Sequence, residues 1–211
     1  MIRVSNLSLP VDGDLEQLKK RAARELGIRP GQVGELELLR QSIDARRKDE
    51  LHYVYTVGLT LPDEAAVVRA APGKHVDRVE RRAYELPRPR RSSPLPPVVV
   101  GMGPGGLFAA LTLARMGLKP IVLERGRPVE ERTEDVEHFW RTGRLSRTSN
   151  VQFGEGGAGT FSDGKLTTGT SDPRQNFVFN TFPEHGAPRD ILWSHKPHIG
   201  TDVLRQVVAS M

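Results

Sequence analysis

Apolar residues in the first stretch of the chain, residues 2–9, fall at Ile2, Val4, Leu7 and Leu9. That near-alternation predicts a strand with one slip or bulge. Asp12 or Asp14 can cap a following helix that runs to Glu25, with Leu15, Leu18, Ala22 and Leu26 on one face and Gly27 ending it. Residues 36–45 and 52–61 then read as two strands joined by the charged turn Arg-Arg-Lys-Asp-Glu. Tyr53, Tyr55, Val57, Leu59 and Leu61 alternate cleanly along the second of them. Pro62-Asp63-Glu64 opens a short helix to Ala71, and residues 76–86 return as a last strand. The order β-α-β-β-α-β predicts a ferredoxin-like split βαβ module over residues 1–86. That topology hosts many unrelated activities and implies none.

The pattern changes at Glu85. Residues 87–97 are rich in proline and arginine, so they predict a semi-rigid extended linker. Beyond it Val98-Val99-Val100 forms a short continuous apolar run, the signature of a buried parallel strand. A helix over residues 105–116 carries Leu107, Ala110, Leu111 and Ala114 on one stripe, and Gly117 sits at its C-terminal end. A second strand, residues 119–123, follows. Residues 98–211 are thus expected to form the first part of a Rossmann-type domain, and the fold class is α/β.

Between that strand and helix lies Gly101-Met102-Gly103-Pro104-Gly105-Gly106, a G-x-G-x-x-G match on Gly101, Gly103 and Gly106. The first glycine permits the tight turn, the second lets the backbone approach a pyrophosphate, and the third lets helix and strand pack closely. The pyrophosphate would rest on the free N–H groups at the helix N-terminus. Glu124 ends the second strand 23 residues after Gly101. A carboxylate there can accept both ribose hydroxyls of an adenosine and would repel a 2′-phosphate, which favours FAD or NAD over NADP. Arg125 could soften that exclusion by binding a phosphate, or face solvent.

Composition narrows the chemistry. The 211 residues contain no cysteine, which removes disulfide scaffolds, cysteine zinc sites, iron–sulfur clusters and thiol nucleophiles. The most apolar run, residues 98–114, holds four glycines and a proline and does not read as a membrane span, and no signal-peptide core opens the chain. A cytoplasmic protein is expected. The net charge of +5 is uneven: residues 1–91 carry 18 lysines and arginines against 14 acids, and residues 92–211 carry 13 against 12. Most of the excess is the stripe Arg78, Arg81, Arg82, Arg88, Arg90 and Arg91. It could meet phosphate, or serve as a solvated strand end and linker.

The most unusual segment is Asn150-Val-Gln-Phe-Gly-Glu-Gly-Gly-Ala-Gly-Thr-Phe-Ser-Asp-Gly-Lys-Leu166, with five glycines in the eleven residues from Gly154 to Gly164. No regular element tolerates that density, so it predicts a loop whose backbone closely approaches something. The strings VVVGMGPGGLFAALTLA, VLERG, NVQFGEGGAGTFSDGKL and HKPHIGTD, with SIDAR before the first-unit hairpin, together resemble FAD-dependent oxidoreductases with a glutathione-reductase-type flavin domain. Within these the chain is most similar to a bacterial branch of FAD-dependent, or NAD(FAD)-utilising, dehydrogenases. The resemblance implies an extended FAD, with Gly101, Gly103, Gly105 and Gly106 at the pyrophosphate and Glu124 at the adenosine ribose; Pro104 within the first cluster and Arg125 beside Glu124 are further candidate cofactor-binding residues. It places Gly156, Gly157, Ala158, Gly159 and Ser162 along the pyrophosphate and isoalloxazine end. It makes Lys165 either a positive charge at the pyrimidine edge of the flavin or a surface residue after a turn. It also implies that further strands of the flavin domain are wanted after Asp172, so the chain reads as an N-terminal fragment of a longer enzyme.

The remaining chemistry is thin. His195-Lys-Pro-His198 has an H-x-x-H look, but its proline and the absence of a matching third ligand argue against a metal site. Asp135, Glu137 and His138 precede Trp140 on a helix expected over residues 128–142, with the spacing of a solvated face. No residue reads as a catalytic acid or base. The expected function is therefore flavin-mediated hydride transfer on an unidentified small-molecule substrate. NAD(P)H is a candidate electron donor, although no second G-x-G-x-x-G is present. The rival is a nucleic-acid-binding module formed by the ferredoxin-like unit and the arginine stripe. No RRM-type aromatic motif supports it.

Overall fold

The structure is a computed structural model that describes residues 1–80, 84–89 and 94–211. It is a mixed α/β structure with two compact units. The first comprises Met1–Arg82 with Leu192–His195, and the second Ala83–Ile191 with Lys196–Met211.

In the first unit the elements run β1 (Ile2–Pro10), α1 (Glu16–Leu26), β2 (Leu36–Asp44), β3 (His52–Leu59), α2 (Glu64–Ala70) and β4 (Val76–Arg78). The strands form an antiparallel sheet in the order β2-β3-β1-β4. The expected slip in β1 lies between Val4 and Leu7, where Asn6 takes φ 62° and the register against β3 shifts. An asparagine tolerates that left-handed backbone better than most residues. The extra residue keeps Ile2, Val4, Leu7 and Leu9 all turned inward, and all four are buried with Leu18, Ala22, Ala23, Leu26, Tyr55, Val57 and Leu59.

Helix α1 departs from the expected stripe at its start. Leu15 precedes the helix and is 50% exposed, whereas Ala23 is buried. Asp14 accepts from the Glu16 N–H at 3.0 Å, and Gly27 closes the helix in the left-handed region at φ 69°. Asp63 caps α2 by accepting from the Ala66 N–H.

The last strand is a correction. It spans Val76–Arg78, far short of residues 76–86, because its partner β1 begins at Ile2, which already pairs with Arg78. Val79 still donates to the Met1 carbonyl at 3.0 Å, just past the paired residues. Arg81, Arg82, Arg90 and Arg91 of the arginine stripe lie outside the described residues, as does part of the expected linker. Along the outer edge of β2, the Gln41 N–H donates to the Trp193 carbonyl at 2.7 Å and the Gln41 carbonyl accepts from His195 at 3.0 Å.

In the second unit β5 (Val98–Val100), α3 (Pro104–Arg115) and β6 (Ile121–Leu123) form a parallel βαβ unit, with Val98 opposite Ile121 and Val100 opposite Leu123. Helix α4 (Val129–Thr142), a short 3-10 turn (Ala158–Phe161), α5 (Arg174–Glu184) and α6 (Thr201–Ser210) follow. The strand pair does not have the full burial that its apolar run predicted. Val98, Val100, Ile121 and Leu123 are all exposed, Val100 by 81%. Those four side chains point to one face of a two-stranded sheet. Helix α3 lies against β5, and of its buried residues, Leu107 and Ala110, the first clusters with Val129 and Val208. Leu111 is half-buried and Ala114 exposed, so the helix buries a narrower stripe than expected. No helix among the described residues is long and apolar enough to cross a membrane.

Candidate functional site

The turn from β5 into α3 shows why its glycines are required. Gly101 sits at φ 92°, a backbone region that side chains disfavour, with its N–H on the Leu123 carbonyl at 2.7 Å. A methyl group at Gly106 would collide with the Gly101 carbonyl oxygen, so only glycine lets the helix start this close to the strand. Gly103 and Gly105 differ: a methyl group at either would meet nothing within 4 Å. The turn therefore has one crowded side, facing the strand, and one open side at the N-terminus of α3, with Pro104 as its first residue.

Glu124 reaches back across this turn. One carboxylate oxygen accepts from the Met102 N–H at 2.6 Å and the other from the Gly126 N–H at 2.8 Å. Partial burial alone would raise its pKa. The N–H donors of Gly126, Met102 and Arg125, with the positive charge of Arg132, more than offset that and hold it below the usual carboxylate range. The group is thus a carboxylate fixed beside the glycine turn, and each oxygen keeps further lone-pair capacity. Arg125 lies with its guanidinium 4.1 Å from the centre of the Phe153 ring and donates to the Arg147 carbonyl.

The second glycine cluster packs directly onto the first. Gly156 donates to the Met102 carbonyl at 2.8 Å, so both polar groups of Met102 are engaged, one by Glu124 and one by this loop. A methyl group at Gly157 would lie 3.1 Å from Gly103 Cα and from Pro104 Cδ. At Gly126 it would lie 2.5 Å from Gly154 Cα. Gly154, Gly156 and Gly157 have φ of 116°, 80° and 72°. The expectation of an irregular loop needs one amendment, because Ala158–Phe161 forms a 3-10 turn. Ala158 and Gly159 are exposed on it.

Two predicted residues make only local bonds here. The Ser162 hydroxyl donates to the Gly159 carbonyl at 2.7 Å and accepts from the Gly164 N–H, closing a turn. Lys165 pairs with Asp163 at 3.0 Å from an exposed position, and its hydrogen bond holds Asp163 below the usual carboxylate range. The backbone of Lys165 bridges to His198, and Leu166 donates to the Pro197 carbonyl. The H-x-x-H pair is divided, since His195 belongs to the first unit and meets Arg40 at 3.0 Å, while His198 belongs to the second. Among the described residues no group of three or more metal-ligating side chains exists. Asp135 and Glu137 face Arg127 and Arg205 in ion pairs, and Trp140 stacks edge-to-face on Phe161. Tyr55 is buried, and its hydroxyl accepts from the Gln41 side-chain amide at 3.0 Å.

Three contributors escaped the sequence reading: the Met102 peptide, Glu155 and Arg132. The Glu155 carboxylate accepts from the Val129 N–H at 2.6 Å and thereby caps α4. Arg132 is completely buried. It stands with Val129 and Val136 on the inward stripe of α4, and an arginine in a stripe otherwise set by valines was the available signal.

Comparison with known proteins adds ancestry without an activity. Residues 1–60 match a family described as a domain of unknown function (DUF8436). The whole chain is 44% identical over 211 residues to a protein of Clostridium beijerinckii described as "Uncharacterized protein". The chain spans 40% of that relative's length.

Proposed function

We propose that the chain is the dinucleotide-binding portion of an FAD-dependent oxidoreductase, a flavoprotein dehydrogenase similar to the NAD(FAD)-utilising branch. The observation that carries this reading is the placement of the Glu124 carboxylate, 2.6 Å from the Met102 N–H, beside a glycine turn whose helix end is open at Gly103 and Gly105. An anion-receiving helix start with an acid beside it suits the ADP half of a dinucleotide, phosphates on the N–H groups and ribose on the acid. The parallel β5-α3-β6 unit supports a Rossmann-type assignment for the second unit. The 4-1-3-2 strand order supports a ferredoxin-like one for the first.

Gly101, Gly103, Pro104, Gly105 and Gly106 would hold the pyrophosphate, Glu124 the adenosine ribose, and the Gly156–Gly157 backbone would wall the phosphate side. The first cluster fits such a ligand because a methyl group at Gly103 or Gly105 would meet nothing within 4 Å, and the second packs against the same turn, where a methyl group at Gly157 would lie 3.1 Å from Gly103 Cα. When bound, the flavin supplies hydride transfer through its N5 position. The chain's own residues bind and orient. The substrate, and NAD(P)H as donor, belong to the same proposal.

The test is the visible spectrum of the purified chain after FAD addition and desalting, beside Glu124→Arg. The expected result is retained flavin absorbance that the variant loses by at least tenfold in affinity, about 1.4 kcal/mol. Equal retention by both proteins, or parent chain that stays colourless while folded, would contradict the assignment of Glu124 and of the site.

A further inference from the structure

A fully buried guanidinium is costly unless its donors are satisfied. Arg132 meets that demand almost entirely from main-chain carbonyls of the second glycine cluster. Its Nε donates to the Asn150 carbonyl at 2.9 Å and one terminal nitrogen to the Glu155 carbonyl at 2.7 Å. The other terminal nitrogen donates to the Val151 and Gly157 carbonyls, both at 2.8 Å. The ring of Phe161 lies 4.9 Å from the guanidinium carbon, and the Gly154 backbone passes so close that a methyl group there would be 2.6 Å from Arg132 Cδ. One side chain on α4 therefore gathers carbonyls spread from Asn150 to Gly157.

We infer that Arg132 is the positioning residue of the dinucleotide site, holding the second glycine cluster in its binding conformation from beneath while touching no ligand. This inference rests on the dinucleotide reading for its consequence but not for its geometry. Being wholly buried, Arg132 has no surface to offer a cofactor. Its effect passes through Gly156 and Gly157, the two residues that meet Met102, Gly103 and Pro104. Glycines in this density supply no side-chain packing of their own, so the carbonyl clamp is what orders them. A lysine cannot replace it, because a single ammonium has three donors on one atom and cannot span acceptors that a planar fork reaches.

The test uses the 211-residue chain with Arg132→Ala and Arg132→Lys, read by thermolysin cleavage mapped by mass and by flavin retention. Cleavage within residues 150–161 is expected to rise about tenfold or more in Arg132→Ala, while cleavage in residues 1–80 stays at the parent rate, since proteolysis tracks local opening. Flavin absorbance is lost with it. Added methylguanidinium restores both, and Arg132→Lys stays impaired. Parent-like cleavage and retention in Arg132→Ala would overturn the inference, as would a uniform rise in cleavage across the second unit that methylguanidinium leaves unchanged. If Arg132→Ala does not fold, Arg132→Lys decides by the same local cleavage. A parent chain that holds no FAD while its loop cleavage still depends on Arg132 supports the clamp and counts against the dinucleotide reading alone.

Discussion

Gly106→Ala is expected to destabilise the second unit by about 3 kcal/mol, the upper part of the range for forcing extra atoms into a packed site. The added methyl group would overlap the Gly101 carbonyl oxygen and sit 2.9 Å from its carbon. Gly101 cannot yield easily, because its N–H is tied to Leu123 and its φ of 92° already lies where few residues are tolerated. Relief would have to come from parting α3 from β5, which lie in contact. Amide hydrogen exchange in residues 98–142 would report the loss, with residues 1–80 as an internal reference. Gly103→Ala is the matched control. Its methyl group meets nothing within 4 Å at an ordinary φ of −70°, so folding should change by less than about 1 kcal/mol. The same substitution fills the open face of the turn, so flavin retention should fall without loss of structure. A Gly106→Ala chain with parent exchange rates would show that the turn is looser than its geometry.

The second large effect is expected at Gly156→Ala, again about 3 kcal/mol. Two costs combine there: a left-handed backbone at φ 80°, which costs an alanine roughly 1–2 kcal/mol, and overpacking of similar size. The methyl group would strike the Thr160 hydroxyl oxygen and lie 2.7 Å from Val208 Cγ1 in the buried face of α6. Gly159→Ala, three residues on, meets nothing and needs no left-handed backbone, so it should stay within about 0.5 kcal/mol of the parent. Urea unfolding of the two variants beside the parent separates these outcomes. Equal midpoints for both would contradict the packing of α6 against the loop.

Much of this was legible in the sequence where one physical rule acted locally. The alternation in β1 and β3, the glycine ends of α1 and α3, and the turn at Gly101 all follow from neighbours within a few residues. The errors came where a distant partner decided. The last strand was expected to run past Arg78, but its length is set by the ladder with β1, which pairs only Val76, Asp77 and Arg78. Val98-Val99-Val100 announces a buried strand, yet burial depends on what covers the sheet, and one face here stays open. Glu124 was singled out by its spacing from Gly101, and the structure sets it beside the glycine turn, whereas Arg132 left only the faint signal of a charge in an apolar stripe. Its role rests on four carbonyls 18 to 25 residues away, and on its own helix it resembles one more charge in the run Glu130-Glu131-Arg132. Lys165 was singled out for its charge, and the structure directs that charge to its neighbour Asp163.

The most direct measurement of the central claim is a titration of the 15N-labelled chain with ADP, the half of the cofactor that the turn and Glu124 would receive. The expected result is saturable shifts of the Gly103, Gly105, Gly106 and Glu124 amides, with residues 1–80 unmoved and the shifts absent in Glu124→Arg. A folded chain whose Gly101–Gly106 amides do not respond to ADP, or whose responses lie in the first unit, would contradict it.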